Sequence, residues 1–202
     1  MRRMQTKPMS SSSLTHPWEA GVSRYRITVE DYHRMIEAGI LDENDRLELI
    51  EGDLTSMPPI SPRHAGKTTR LNRLLSQIAG GSALVSVQNP LMLGQHSEPD
   101  PDLMLLKPRE DFYEHSNPVP ADVLLVVEVA DTSLDYDRDT KIPLYAAHGI
   151  PEVWLVDLQR SRIEIHRDPG PEGYRQILLP DTGQTIAPVS LPDVVIRVSE
   201  LW

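Results

Sequence analysis

The hydrophobic positions along this chain recur with two periods, one typical of helices and the other of strands. Between His64 and Ala79, leucine and isoleucine fall at i, i+3, i+4 and i+7 until Gly80-Gly81 ends the pattern, which predicts an amphipathic helix. A shorter segment opens with Thr28-Val-Glu-Asp31, a sequence typical of a capping box, and stops at Gly39. It predicts a second, shorter helix.

Short apolar or alternating runs predict the strands. Residues 46–50 and 53–57 flank Gly52 and predict a hairpin. The other predicted strands span residues 84–88, 91–94, 103–106, 123–129, 153–157, 162–166, 174–179 and 194–198. The run at 123–129 is apolar on both faces, which is typical of a central strand.

A third helix is predicted from Asp137 to His148, and Pro143 must lie in its first turn or kink it. The order of helix, several strands, helix and further strands predicts an α/β fold. We expect a mixed central β-sheet flanked by helices, with additional β-hairpins.

Composition is that of one globular domain. The chain has 202 residues, of which 39% are hydrophobic and 25% charged. Residues 1–24 include four consecutive serines and no hydrophobic period, so we expect a disordered leader before one domain at 25–202. No aliphatic run approaches the roughly 20 residues of a membrane helix, and no apolar signal core is seen, which favours a cytoplasmic protein. The net charge of −10 argues against bulk coating of nucleic acid but allows a local basic face.

Glu128 lies inside the apolar run at 123–130, where an unpaired carboxylate would cost several kcal/mol. Asp102 stands at the head of another predicted strand, and Lys141 lies near the start of the third helix. Two acids and a lysine at element edges suit metal-assisted phosphodiester cleavage, with Mg²⁺ held by the acids and the backbone carbonyl of Val129. The alternative is a structural ion pair between Glu128 and Lys141, with Asp102 capping a turn.

Several motifs recur here in the order and spacing of a known family: Arg46-Leu-Glu-Leu-Ile-Glu-Gly-Asp53, His64, Glu98-Pro-Asp-Pro-Asp-Leu103, Val127-Glu-Val-Ala-Asp-Thr-Ser133, Asp139-Thr-Lys141, Tyr145, Gly149-Ile-Pro-Glu-Val-Trp154 and Val156-Asp157. From about residue 25 to 180, the chain resembles the Uma-two family, a bacterial group assigned to the restriction-endonuclease-like, or PD-(D/E)XK, superfamily. The resemblance implies the nuclease fold, with Asp102 as the motif aspartate and Glu128 as the acid of the next motif strand.

In the superfamily pattern a lysine stands two residues after that acid, where this chain has Ala130. The resemblance therefore implies that Lys141 supplies the ammonium from the following helix. It also implies that Glu48, the upstream acid, completes the cation shell, although an exposed position on an alternating strand is the alternative. His64 resembles the family's histidine, which would contact a phosphate or donate a proton, and its alternative is simple packing.

Basic residues at helical spacing, Arg63, Lys67 and Arg70, are candidates for contacts with a DNA backbone, and a solvated basic face is the alternative. We predict a Mg²⁺-dependent endonuclease, with Mn²⁺ as an alternative ion, DNA as substrate and a homodimer as the symmetric assembly. The rival is a non-catalytic nucleic-acid-binding or assembly protein with the same fold. A P-loop ATPase built on Gly66-Lys67-Thr68 is disfavoured, since Ser61 stands where that motif requires glycine.

Overall fold

The computed structural model of the protein describes residues 23–42 and 45–202. Most of the predicted leader lies outside these residues. The helices are α1 (Val29–Glu37), α2 (Pro62–Ala79), α3 (Leu134–Tyr136) and α4 (Ile142–Ala147), and a π-helical turn, Asp137–Lys141, joins the last two. The strands are β1 (Leu47–Ile50), β2 (Asp53–Ser56), β3 (Leu84–Val87), β4 (Leu103–Leu106), β5 (Val123–Ala130), β6 (Glu152–Asp157), β7 (Arg162–Gly170), β8 (Gly173–Leu178), β9 (Thr185–Ile186) and β10 (Ile196–Arg197).

A six-stranded mixed sheet with the order β3-β4-β5-β6-β7-β8 forms the centre of the fold. The β5–β6 pair is parallel, and the other pairs are antiparallel. The predicted central position of β5 and the predicted α/β fold with a mixed sheet are confirmed. Among the described residues, no helix combines the length and apolar character needed to cross a membrane.

The two predicted amphipathic helices are confirmed, with their capping groups in place. Thr28 and Asp31 form a reciprocal capping box at the start of α1. At α2, the Ser61 side chain accepts a hydrogen bond from the backbone N–H of His64, and Pro62 occupies the first turn, where its missing N–H costs nothing. The helix thus starts two residues earlier than predicted.

The predicted hairpin is confirmed as β1 and β2, joined by Glu51 and Gly52, both with positive φ. Such a turn matches the twist of the flanking strands. Gly52 is required for a further reason, because a Cβ there would lie 2.6 Å from the Cβ of Arg26. The hairpin places Glu48 next to the main sheet.

Three predicted elements differ from the structure. The helix predicted at 137–148 is present but begins as a π-helical turn, and Pro143 lies in the first turn of α4, one of the two placements expected for it. The strand at 91–94 is wrong, since Leu91 and Leu93 are buried but their N–H groups bond to Pro99 and Ser97 across a loop. The strand predicted at 194–198 is shorter, covering only residues 196–197.

Alternation along the central strands divides the core into two layers. On one side, Leu103, Leu105 and the β5 residues Leu125, Val127 and Val129 pack with α2. On the other side, Met104, Leu106 and the even-numbered residues Val126 and Ala130 pack with α4. Since side chains alternate along a strand, Asp102 and Glu128 are directed to the α4 side.

Candidate active site

Strand register brings Asp102 and Glu128 together. Leu103 pairs with Val127 in the antiparallel ladder, so the preceding residue, Asp102, stands beside Glu128 at the end of the pairing. The Asp102 backbone N–H lies 3.4 Å from Glu128 Oε2. Both acids line one pocket of about 430 Å³. Two acids 26 positions apart in the sequence therefore become neighbours through strand pairing.

Lys141 reaches this pair from the π-helical turn. Its Nζ lies 2.8 Å from Glu128 Oε1 and 3.2 Å from Glu48 Oε1. All three residues are at least 97% buried. A buried charge is tolerated when it is paired and hydrogen-bonded, and the lysine pairs with two carboxylates at once. The ammonium is thus brought to Glu128 although Ala130 occupies the usual lysine position.

Tyr145 is a further hydrogen-bond donor to Glu128. Its hydroxyl donates to Glu128 Oε1 at 2.6 Å, and its side chain is fully buried. Tyr145 follows Lys141 by four residues, so both side chains lie on the same face of the helical segment. The residue stood in the family motif without an assigned role, and this spacing is the signal that could have identified it.

Asp102 is held by three neighbours. The Val129 backbone N–H donates to Asp102 Oδ2 at 2.8 Å, and His64 Nε2 lies 2.9 Å from the same oxygen. Gln88 Nε2 is 3.3 Å from Asp102 Oδ1. The backbone of Val129 therefore orients Asp102 through its amide, while the role expected for its carbonyl stays a prediction.

His64 packs at the first turn of α2 and is a neighbour of Asp102. Its hydrogen bond to Asp102 is the main reason why its pKa is raised above the usual 6.5, against the opposing effect of burial. Among the described residues, His64 Nδ1 has no hydrogen-bond partner although it is buried. The imidazole is thus turned toward the acid cluster rather than into the apolar core.

Glu48 is not an exposed residue of an alternating strand. It is 3% exposed, and its Oε1 accepts hydrogen bonds from Lys141 and from the backbone N–H of Asp100. Its Oε2 is buried and has no hydrogen-bond partner within the described part of the chain. A buried carboxylate oxygen without a donor is costly unless a further ligand meets it.

Burial raises the pKa values of several acids around the pocket. It raises the pKa of Glu128 to about 8, although the Lys141 ammonium opposes the change. Burial and the neighbouring charge of Glu48 raise the pKa of Asp100 to about 7, and burial raises that of Asp137 to about 6. The pKa of Lys141 also rises, because the attraction of Glu128 and the other acids outweighs the burial that disfavours its charge. The pocket holds more negative charge than its one buried lysine can compensate.

Asp137 and Asp100 extend the acid cluster beyond the residues expected from the sequence. Asp137 is 3% exposed, lines the same pocket and accepts a hydrogen bond from the Ser133 hydroxyl at 2.6 Å. Sequence reasoning missed Asp137 because it lies at the start of the predicted helix, a position common for acids that only favour the helix dipole.

The donor set suits a hard divalent cation, which prefers carboxylate oxygens. Mg²⁺ commonly uses only one or two protein carboxylates and completes its shell with waters and substrate phosphates. Asp102 and Glu128 can supply these, and the unpartnered Glu48 Oε2 is a further oxygen in the pocket. Among the described residues, no three acidic or histidine side chains converge closely enough to hold an ion by themselves. The residues fit a partly hydrated ion rather than a closed cage.

The candidate basic residues of α2 donate hydrogen bonds to backbone carbonyls, two of them in the C-terminal segment. Lys67 Nζ donates to the Leu201 carbonyl at 2.7 Å and lies 4.5 Å from the centre of the Trp202 ring. Arg70 donates to the Glu200 carbonyl, and Arg63 donates to the Leu158 carbonyl. The side chain of Arg63 is nevertheless 58% exposed. Contact of these residues with a nucleic acid stays a prediction.

Comparisons with known proteins agree with this fold. A protein-family model named Uma2 and described as "Putative restriction endonuclease" matches residues 29–199. A crystal structure from Anabaena variabilis, titled as a putative nuclease of the DUF820 group, is similar with a TM-score of 0.67 and 17% sequence identity. The match covers 87% of this chain and 97% of that one. No curated protein sequence matches the chain. Because the family model spans most of the sequence and the fold agrees, the chain belongs to the Uma2 family of restriction-endonuclease-like proteins.

Proposed function

We propose that this protein is a metal-dependent endonuclease that hydrolyses phosphodiester bonds in DNA. The observation that carries the proposal is the buried contact of Lys141 with Glu128 beside Asp102, in a single pocket of a nuclease-like fold. Hydrolysis of a phosphodiester requires a bound cation, a positioned water and stabilisation of the negative charge that develops in the transition state. Two acids and a lysine are groups that can supply these functions.

Asp102 and Glu128 would hold Mg²⁺, or Mn²⁺ in its place, with Glu48 and the carbonyl of Val129 as further oxygen ligands. When bound, the ion polarises the phosphate and lowers the pKa of a coordinated water. The carboxylate of Asp102 is already oriented for this role by the Val129 amide and by His64. Within the described part of the chain, its other oxygen, Oδ1, has the long contact with Gln88 as its one hydrogen bond.

Lys141 would align the attacking water and stabilise the charge that develops on the phosphate. Its raised pKa keeps the ammonium protonated throughout the neutral range, so it acts as a fixed positive charge rather than as a base. Tyr145 holds the glutamate that faces this ammonium. His64, whose raised pKa favours its protonated form, would contact a phosphate or supply a proton to the leaving oxygen.

Arg63, Lys67 and Arg70 would contact the backbone of the nucleic acid along α2. Arg63 and Arg70 are exposed, and the guanidinium of each donates one hydrogen bond to a backbone carbonyl of the same chain. Cutting both strands of a duplex needs two sites, which a homodimer would supply.

The test is cleavage of single-stranded and duplex DNA by the full chain with Mg²⁺ or Mn²⁺. We expect Asp102→Asn and Glu128→Gln to lose at least about two orders of magnitude in rate, as for loss of a group that acts in the transition state. Asp168→Asn is the matched control, because Asp168 is an exposed acid that pairs with Arg175 on the last strands of the sheet. Full activity in either site variant would remove that acid from the mechanism.

A binding or assembly protein with the same fold is the second candidate. The observation in its favour is that Lys141 pairs with both Glu48 and Glu128, which gives the two acids a structural partner within the chain. Calorimetry with Mn²⁺ separates the two functions. The nuclease predicts a saturable site that Asp102→Asn weakens, whereas the binding protein predicts no saturable uptake.

A further inference from the structure

The pocket that contains the acids has a second, apolar side. Four partly exposed side chains form this apolar wall: Ile36, Leu41, Met57 and Ile60. They come from the end of α1, the segment after it, and the loop between β2 and α2. The wall lines the same cavity as Glu48, Asp102 and Lys141. One cavity thus combines charged and apolar lining residues.

We infer that the apolar wall binds the base of an unpaired nucleotide, so that the site takes single-stranded or locally opened DNA; this inference rests on the proposed function. A phosphodiester held near Lys141 carries a nucleoside on either side, and the base is the apolar part of that group. The volume of about 430 Å³ lies within the range of small-molecule pockets, ~300–1,000 Å³. A pocket of this size can enclose one nucleoside but not a base pair with its two strands.

Burial of the acids supports the same conclusion. Glu48, Glu128 and Lys141 are each at most 3% exposed. A phosphate must therefore enter the pocket to meet them. A nucleotide that enters such a pocket must leave the base pair and the stack, as happens in enzymes that act on a base and take single strands or turn the nucleotide out of the duplex.

The charge of the pocket limits how much backbone it can hold. Among the described lining residues, the carboxylates outnumber the cationic groups, which are Arg46, Lys141 and, when protonated, His64. Arg46 also donates to the carbonyl of Pro58 at 2.6 Å, which ties it to the loop that carries Ile60. A neutral base meets no repulsion from these acids, whereas a run of phosphates would. The arrangement thus favours one phosphate at Lys141 and a base on the apolar wall.

Ile60 is the position for the test. It is 40% exposed, so a tryptophan there can fill the pocket without disturbing the core. Ile177→Trp is the matched control, because Ile177 is 57% exposed on β8, away from the pocket. The probe is an end-labelled DNA oligonucleotide, offered either as a single strand or as a duplex. Ca²⁺ replaces Mg²⁺ so that binding is measured without cleavage.

We expect the single strand to bind at least about tenfold more tightly than the duplex. Ile60→Trp should change the affinity for the single strand by about tenfold, downward where the indole fills the base site and upward where the base stacks on it, since contact with one base is worth about that much. Ile177→Trp should bind as the unaltered protein does. Equal or tighter binding of the duplex, or unchanged binding by Ile60→Trp, would overturn the inference. If Ile60→Trp does not fold, Met57→Glu tests the same wall by placing a charge against the base.

The cleavage assay separates this inference from the proposed function. Equal cleavage of duplex and single strand would keep the nuclease and remove the base site. If binding of the single strand depends on Ile60 but no cleavage is seen with any divalent cation, the base site is supported and the nuclease proposal is contradicted.

Discussion

Lys141 Nζ lies 2.8 Å from Glu128 Oε1, and the two side chains are almost completely buried. The lysine belongs to a π-helical turn and the glutamate to the central strand β5. Ala130, two residues after the glutamate, is buried with the core on the α4 side of the sheet. The ammonium therefore reaches the glutamate from outside the strand, and the chain keeps an ion pair where a lysine on the strand is absent.

Replacing Lys141 with methionine should destabilise the protein, because Glu48 and Glu128 would lose their shared cation. Removing one partner of a buried ion pair typically costs about 3–5 kcal/mol. The loss should be larger at pH 8 than at pH 6, since protonation of Glu128, whose pKa is raised to about 8, relieves the repulsion. Urea unfolding at both pH values measures this loss of stability.

Lys107→Met is the control for this variant, because Lys107 is exposed outside the pocket. It should change the free energy of unfolding by no more than about 0.5 kcal/mol. If Lys141→Met were as stable as the control at pH 8, the ammonium would not be needed to hold the two glutamates.

Tyr145→Phe should lower the free energy of unfolding by about 1–2 kcal/mol, since Glu128 loses a buried hydrogen-bond donor. The matched control is Tyr113→Phe. Its hydroxyl also donates a hydrogen bond, to the Lys107 carbonyl at 2.9 Å. Tyr113 is partly exposed, so in the variant a water can donate to this carbonyl in place of the hydroxyl. Urea denaturation of both variants compares the two losses, and equal losses would show that burial of Tyr145 contributes nothing further.

The metal-free protein should lose stability as the pH rises from about 4 to about 8. Asp137, Asp100 and Glu128 have folded-state pKa values raised to about 6, 7 and 8, above their ordinary values near 4. The folded state then binds more protons than the unfolded state in this window, so the free energy of unfolding falls with pH. His64 contributes in the same direction, because its raised pKa favours the proton in the folded state.

We expect the Tm at pH 8 to be lower than at pH 5.5 by at least roughly 2–4 °C, the shift that about 1 kcal/mol produces in a chain of this length. Asp100→Asn should flatten this dependence, since an amide does not titrate. Asp168→Asn, at an exposed ion pair, should leave it unchanged. A Tm that rises over this window would contradict the assignment of raised pKa values to the pocket.

The double variant Arg63→Gln with Arg70→Gln should reduce the salt dependence of DNA binding. Each phosphate contact adds about 0.7 to 0.9 to the slope of log affinity against log salt, so the slope should fall by about 1 to 2. Titrations over a range of salt concentrations measure it. Arg175→Gln, which removes a cation from β8, is the control. An unchanged slope in the double variant would mean that α2 makes no phosphate contact through these two residues.

Most strands and the two amphipathic helices could be predicted because their signals are local. The capping residues Thr28 and Ser61 and the alternation of β4 and β5 act within a few positions of each other. The strand predicted at 91–94 failed for a physical reason. Leu91 and Leu93 are buried as in a strand, but a loop rather than a neighbouring strand satisfies their N–H groups. A periodic pattern records burial and not pairing.

The sequence by itself determined the strands that carry Asp102 and Glu128, the side of the sheet to which they point, and membership of the Uma2 family, because alternation and motif spacing are properties of the linear chain. The resemblance named Lys141 and Glu48 as candidates, but tertiary structure alone decided that the Lys141 ammonium pairs with Glu128, that the Tyr145 hydroxyl donates to Glu128, and that Glu48 is buried beside them. These contacts join residues separated by 13 to 93 positions, a span within which no local periodicity operates. They exist because strand order and the packing of α4 on the sheet place the groups together, and burial there makes their pairing obligatory.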